Sequence, residues 1–294
     1  MNFKGISFYL SLFCFPISFL SFINILYASY FDYFLSIDTY FKTLLVSLII
    51  GFSFFYYGKN SKKNINFFEQ LILVIVSYFF TAILIAIPFY LSNYQVTFLN
   101  SIFESISGLT GTGFSIFKNI KYLDPTLILW RSSSQWIGGL FFLFFLIIIF
   151  SNKSFNYKMT NLSYSGESNI NSEGNIKENI LRVLIIYSVL SIIILTLLNF
   201  SGLRLFNSLN MSMTLVSGGG FLPTDSINKI ISTNFQKIIL IFSLIISMLN
   251  FYLLFNLSNK KILIQEHKED LYLIILSIVF CILIYFNNYQ GLDI

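Results

Sequence analysis

Two short strings in this sequence carry residue types suited to chemistry by the backbone itself. Residues 110–114 read TGTGF and residues 216–221 read VSGGGF. Glycine reaches backbone angles closed to other residues, so such strings can set several carbonyl oxygens along one side. The first strip is Thr110, Gly111, Thr112 and Gly113, and the second is Val216, Ser217, Gly218, Gly219 and Gly220. Threonine and serine add hydroxyl oxygens. A strip of oxygens facing a water-filled cavity can replace the hydration shell of a cation. Each strip follows a short, mostly apolar segment, VTFLNSIFESISGL (96–109) or RLFNSLNMSMTL (204–215). As helices these are too short for a hydrocarbon core about 30 Å thick. Each would point its negative C-terminal end at its strip, which favours a cation over an anion. Gly113 and Gly219, 106 residues apart, are the expected matching glycines of the two strips. Taken singly, either cluster also reads as an ordinary turn; it is their repetition in matching settings that points to a pair of strips.

The elements that hold these strips are membrane helices. The chain has 294 residues, 56% hydrophobic and 11% charged, against about 25% charged in a soluble domain. Apolar runs of about 20 residues recur along its length, each enough to cross a bilayer. The spacing predicts an all-α integral membrane protein of about seven spans, near residues 5–31, 41–57, 68–91, 127–150, 179–200, 233–257 and 271–286. The first run lacks a small-residue cleavage site and reads as a retained span. The expected divisions are 1–60, two preliminary helices; 61–152, a first helix–loop–helix unit; 153–177, a polar cytoplasmic linker; 178–258, a second such unit; and 259–294, a charged turn with one further helix. The loop inside each unit re-enters, because irregular backbone at membrane depth is tolerated only inside protein or against a water-filled cavity.

Charge sets the expected orientation. With the N-terminus in the cytoplasm, the cytoplasmic segments hold Lys4, Lys59, Lys62, Lys63, Lys153, Lys158, Lys177, Arg182, Lys260, Lys261 and Lys268, most of the 18 basic residues. Asp32, Asp38, Asp124, Asp225 and Asp293 then lie outside, as the positive-inside tendency asks. The basic residues form no face or finger that would suit a nucleic acid. Cys14 and Cys281 are far apart within apolar runs and read as free thiols. His267, the single histidine, sits in a charged turn and reads as solvated. No nucleophile–base pair, metal cluster or phosphate loop supports an enzyme, and no covalently bound cofactor is expected.

Two ionisable residues near the strips have supporting roles. Glu104, in the first half-helix, either braces the loop, attracts cations or is solvated. Arg131 either pairs with Glu104 or anchors its helix at the interface by snorkelling. Gly138 and Gly139 read as a close helix-packing site, and Glu69 as structural.

These strings resemble a known family. ESISGLTGTGF (104–114), then LWRSSSQWIGG (129–139), is similar to the first pore loop and following helix of the bacterial Trk/Ktr/HKT potassium-uptake superfamily, most nearly the Trk membrane subunit. MSMTLVSGGGFLPTDSI (211–227) resembles its second pore loop, and Phe68, Glu69 and Pro88 fall where the family places similar residues. The resemblance implies four helix–pore-loop–helix repeats around one pore in the bacterial inner (plasma) membrane. It implies passage of potassium, in some cases with sodium, the ion held at the filter residues named above. It also implies a cytoplasmic nucleotide-binding ring subunit as regulator. Only two repeats are present, and the last span looks like the start of a third, so the other two would come from a second copy in a homodimer or from another chain. Gly111 and Gly218 stand where the family usually has threonine, which leaves the preference for potassium over sodium open. The alternatives are a non-conducting accessory or scaffold protein derived from a transporter half, and a secondary transporter with discontinuous helices.

Overall fold

The computed structural model describes residues 2–61, 65–150, 176–248 and 268–290. Residues 153–175 of the expected linker lie outside the described residues. So do Lys62, Lys63, Lys260, Lys261, Glu266, His267 and residues 249–257 of the expected sixth span. Among the described residues the regular structure is entirely helical. We number the helices α1 (Phe3–Tyr30), α2 (Phe34–Gly58), α3 (Phe67–Tyr90), α4 (Phe98–Leu109), α5 (Pro125–Phe150), α6 (Ile176–Phe200), α7 (Leu205–Val216), α8 (Asn234–Met248) and α9 (Lys268–Gln290). Five of them, α1, α2, α3, α5 and α6, are long and apolar enough to cross a membrane. The apolar stretches of α8 and α9, Asn234–Met248 and Leu271–Ile284, are shorter. Helix α6 begins at Ile176, so Lys177 belongs to it rather than to the linker.

Local chemistry marks the ends. Asn66 caps α3, and Glu69 three positions on returns the favour by accepting from the Asn66 N–H at 2.8 Å, a capping box. The other Glu69 oxygen accepts from the N–H of Asn2, so one carboxylate ties the start of α3 to the start of α1. Thr97 caps the half-length helix α4.

The order α3–α4–α5 recurs as α6–α7–α8, in each case a long helix, a 12-residue helix and a returning helix. Two apolar clusters hold these units. The first gathers Phe13, Cys14, Ile17, Leu73, Ile85, Trp130, Ile137 and Phe141 from α1, α3 and α5. The second gathers Leu140, Tyr187, Leu190, Ile194, Leu198, Met211 and Leu215 from α5, α6 and α7. Helix α5 contributes to both, and 61% of its apolar span is buried, against 22% for α2 and for α6. The outward faces carry Phe19, Phe79, Phe142, Phe235 and other large apolar side chains, as lipid contact requires.

At the centre, α5 touches the last turn of α4 with no side chain between them. A Cβ on Gly138 would sit 2.1 Å from the Leu109 carbonyl oxygen. We therefore expect Gly138→Ala to force the two helices apart and cost about 1–3 kcal/mol, the usual size of overpacking. Thermal melting in detergent, followed by size-exclusion fluorescence, reads this; an unchanged melting temperature would refute the contact.

Candidate functional site

Both short helices end in the same way. Thr110 N–H donates to Ile106 O at 2.9 Å and Ser217 N–H to Met213 O at 3.3 Å. Gly111 N–H donates to Gly108 O and Gly218 N–H to Leu215 O, both at 3.1 Å. Gly111 and Gly218 share φ +68°, in the left-handed region, where a β-branched residue is a genuine outlier. One turn before each strip a buried hydroxyl reaches past it: Ser107 Oγ donates to Phe114 O at 2.6 Å and Thr214 Oγ1 to Phe221 O at 3.0 Å. Every one of these pairs lies 107 positions apart. The register therefore matches Gly113 with Gly220 and Thr112 with Gly219, which corrects the 106-residue pairing of Gly113 with Gly219.

The strips lie side by side in that register. A Cβ on Gly113 would fall 2.6 Å from Gly220 Cα, and one on Gly111 would fall 3.6 Å from Ser217 O and 3.8 Å from Gly218 O. Thr110, Thr112, Gly218 and Gly220 are exposed, while Gly111, Gly113, Ser217 and Gly219 are half-buried. The Val216 side chain is buried in the second cluster, so that residue can offer the strip only its backbone. The strip hydroxyls are partly engaged. Thr110 Oγ1 donates to Ile106 O at 2.8 Å and stands 2.6 Å from Thr112 Oγ1, and Ser217 Oγ donates to Met213 O and Thr214 O. Their lone pairs stay available as acceptors. The strips differ in the middle: Gly113 is also left-handed, at φ +78°, and its N–H turns to Ser107 O at 3.5 Å, whereas in the second it is Gly219 that reaches the corresponding Thr214 O, at 2.8 Å.

What holds the strips is a polar run inside α5. Arg131, Ser132, Ser133, Ser134 and Gln135 are all at most 2% exposed. Arg131 Nε donates to Glu104 Oε1 at 2.8 Å, and both side chains are sealed from solvent. Glu104 Oε1 also accepts from Ser115 Oγ at 2.9 Å, and Oε2 accepts from the Ile116 N–H at 2.9 Å. Arg131 Nη2 donates to Ser115 Oγ at 2.9 Å, and Nη1 reaches toward Leu222 O at 3.5 Å. Its guanidinium stacks 4.2 Å from the Phe221 ring centroid. Glu104 is thus a brace, with its charge consumed by Arg131 and the backbone just after the first strip, rather than a solvated attractor of ions. Arg131 does not snorkel to an interface. Gln135, one turn on, accepts from the Phe221 N–H at 3.2 Å through Oε1.

A second tie joins the return segments. Asp225 Oδ1 accepts from the N–H groups of Ile120 at 2.7 Å and Lys121 at 3.3 Å, and Oδ2 pairs with Lys229 Nζ at 2.6 Å. The Lys229 ammonium, helped by those two N–H groups, holds the Asp225 carboxyl below its ordinary range.

Sequence reasoning did not single out Ser107, Thr214, Ser115, Gln135 or Asp225. Ser107 and Thr214 were detectable as hydroxyls at the 107-residue repeat. Residues 131, 134, 135, 138 and 139 have the i, i+3, i+4, i+7, i+8 spacing of one helix face.

With this geometry in view, the relatives can be placed. Residues 36–287 match the family described as TrkH, cation transport protein. The chain belongs to that family. The Trk system potassium uptake protein TrkH of Escherichia coli K12 is 27% identical over 233 residues, covering 75% of this chain and 46% of that protein. An uncharacterized cation transporter of Methanocaldococcus jannaschii is 28% identical over 186 residues, covering 61% of this chain and 38% of that protein. The crystal structure of the potassium transporter TrkH from Vibrio parahaemolyticus superposes with a TM-score of 0.73 at 20% identity, over 90% of this chain and 53% of that one. That likeness shows the shared fold. This TrkH-family chain spans about half the length of these relatives or less. It is a multi-pass helical membrane protein of a transport family, not of an enzyme family.

Two outcomes follow. Breaking a buried pair strands the remaining charge at a cost of about 3–5 kcal/mol, so Arg131→Met and Glu104→Gln should each melt the protein markedly lower in detergent. The double substitution should recover part of the loss, and strict additivity would argue against direct pairing. For Asp225 the folded-state pKa is lowered, so its contribution is present above the unfolded value and lost as pH falls through the folded one. The tie should hold from neutral pH to below about pH 4 and open only in stronger acid. Amide exchange at residues 118–122 measures this, and Asp225→Asn should speed it near neutral pH and make no further difference once the tie has opened in acid.

Proposed function

We propose that this chain forms part of a pathway for monovalent cations, potassium or sodium, lined by the strips at Thr110–Gly113 and Val216–Gly220. The observation that carries this reading is the shared geometry of the two loops. Two backbone strips, each fed by the C-terminal end of a half-length helix, lie in matched register and are held by buried polar groups of one helix. Carbonyls at such helix ends carry partial negative charge, and backbone left irregular at membrane depth needs a cavity or protein around it. The relatives named for potassium uptake support the choice of ion.

In this reading potassium is cargo, held by main-chain oxygens of the strips with Thr110, Thr112 and Ser217 adding hydroxyls. Glu104 and Arg131 position the first strip and do not touch the ion. Two strips line one side of a path; a ring needs two more, which a second copy of the chain or another chain would be able to supply. A cytoplasmic nucleotide-binding subunit would regulate the assembly. The working divisions are 1–60, 61–152, 153–177, 178–258 and 259–294, with the N-terminus in the cytoplasm of the inner membrane. Gly111 and Gly218, which stand where the family usually has threonine, occupy equivalent places in the register, so the lost hydroxyls fall at one level of the path.

Growth of potassium-uptake-deficient bacteria on limiting potassium, with rubidium uptake as the direct measure, tests the proposal. Expression of the chain in its conducting assembly should restore both. Gly113→Asp and Gly219→Asp should each reduce uptake at least about a hundredfold, as a side chain and a charge enter a site built for bare backbone. Uptake unchanged by these substitutions would refute the strip assignment. A chain that inserts stably but gives no uptake in any assembly would favour the scaffold reading.

A further inference from the structure

We propose that Gln135 is the positioning residue of the second strip and sets its ion discrimination from a helix of the first unit. The inference rests on the cation-path reading above and extends it to a residue outside both strips.

Gln135 is fully buried, at 0% exposure, on α5. Its Oε1 accepts from the Phe221 N–H, the first amide after the glycines. Its carboxamide also lies flat against Gly219: a Cβ there would come within 2.4 Å of Cδ and Oε1 and 2.6 Å of Nε2. The amide therefore fixes the strip twice, by hydrogen bond at its end and by contact at its middle. The first strip has no such partner: among the described residues nothing accepts from the corresponding Phe114 N–H. That difference coincides with the place where the loops diverge, at Gly113 on one side and Gly219 on the other.

The second observation is an imbalance. Gln135 Nε2 is buried without a hydrogen-bond partner. An orphaned buried donor costs free energy, while an apolar group of the same shape is close to neutral. Packing alone would therefore be served better by methionine. An amide kept here despite that cost marks Oε1 and its grip on Phe221 as the reason for the residue.

The discriminating experiment uses the full chain in its conducting assembly, with rubidium uptake measured against sodium competition. Gln135→Met keeps the volume and removes the acceptor. Its rubidium-over-sodium ratio should fall about fivefold, the order set by one net hydrogen bond. Gln135→Glu keeps an acceptor oxygen and should regain most of the ratio. Amide exchange in detergent gives a readout independent of transport: Gln135→Met should speed exchange at residues 217–222 and leave residues 110–114 unchanged. An unaltered ratio, no rescue by Glu, or equal loosening of both strips would overturn the proposal. If the unsubstituted chain takes up no cation, the cation-path reading fails, and the exchange comparison still decides whether Gln135 positions the strip.

Discussion

A guanidinium sealed inside a helical membrane protein has to be met by a carboxylate, because neither charge can be left alone in that setting. Here the pair is Arg131 and Glu104, and its geometry dictates the rest. Glu104 spends its remaining oxygen capacity on Ser115 and the Ile116 amide, which pins the chain as it leaves the first strip. Arg131 spends its remaining donors on Ser115 and toward Leu222, which brings the second return segment to the same point. A polar run in the middle of an apolar helix would be a defect if it faced lipid. Turned inward, it becomes the scaffold on which irregular backbone can exist.

The two units are alike where helices end and unlike where they are braced. Hydroxyls at Ser107 and Thr214, left-handed glycines at 111 and 218, and the amide-to-carbonyl closures around them repeat with one spacing. The position of Glu104 corresponds to Met211, a buried apolar residue of α7. The second short helix thus has no carboxylate of its own, and the strip after it is held by Gln135 of α5. Similar backbone results from different chemistry, which is expected when the main chain carries the working atoms and side chains only hold it in place.

Much of this was legible beforehand, for identifiable reasons. Apolar runs announce membrane helices because the bilayer fixes their length. The strings at 110–114 and 216–221 announce breaks because few residues other than glycine take φ near +68°. Glu69 reads only as structural; its capping role comes with its hydrogen bond from the Asn66 N–H. Register was harder: Gly218, Gly219 and Gly220 are identical letters, so the sequence offers three ways to match Gly113, and the helix-end closures together with the hydroxyl contacts of Ser107 and Thr214 select one. Gln135 was harder still. Its partner lies 86 positions away, and within a string of buried polar residues nothing marks which of them reaches across. The competing readings of Glu104 likewise turned on a contact that spacing alone could not supply.

The Arg131 fork has one more implication, which concerns movement. A single rigid, planar group contacts the Ser115 hydroxyl beyond the first strip and the Leu222 carbonyl beyond the second, and α5 abuts Leu109 at the end of α4. Two loops tied to one helix are positioned together by it. They form one jaw. If the strips line the proposed path, a change in its aperture at this level would carry both loops together with α5.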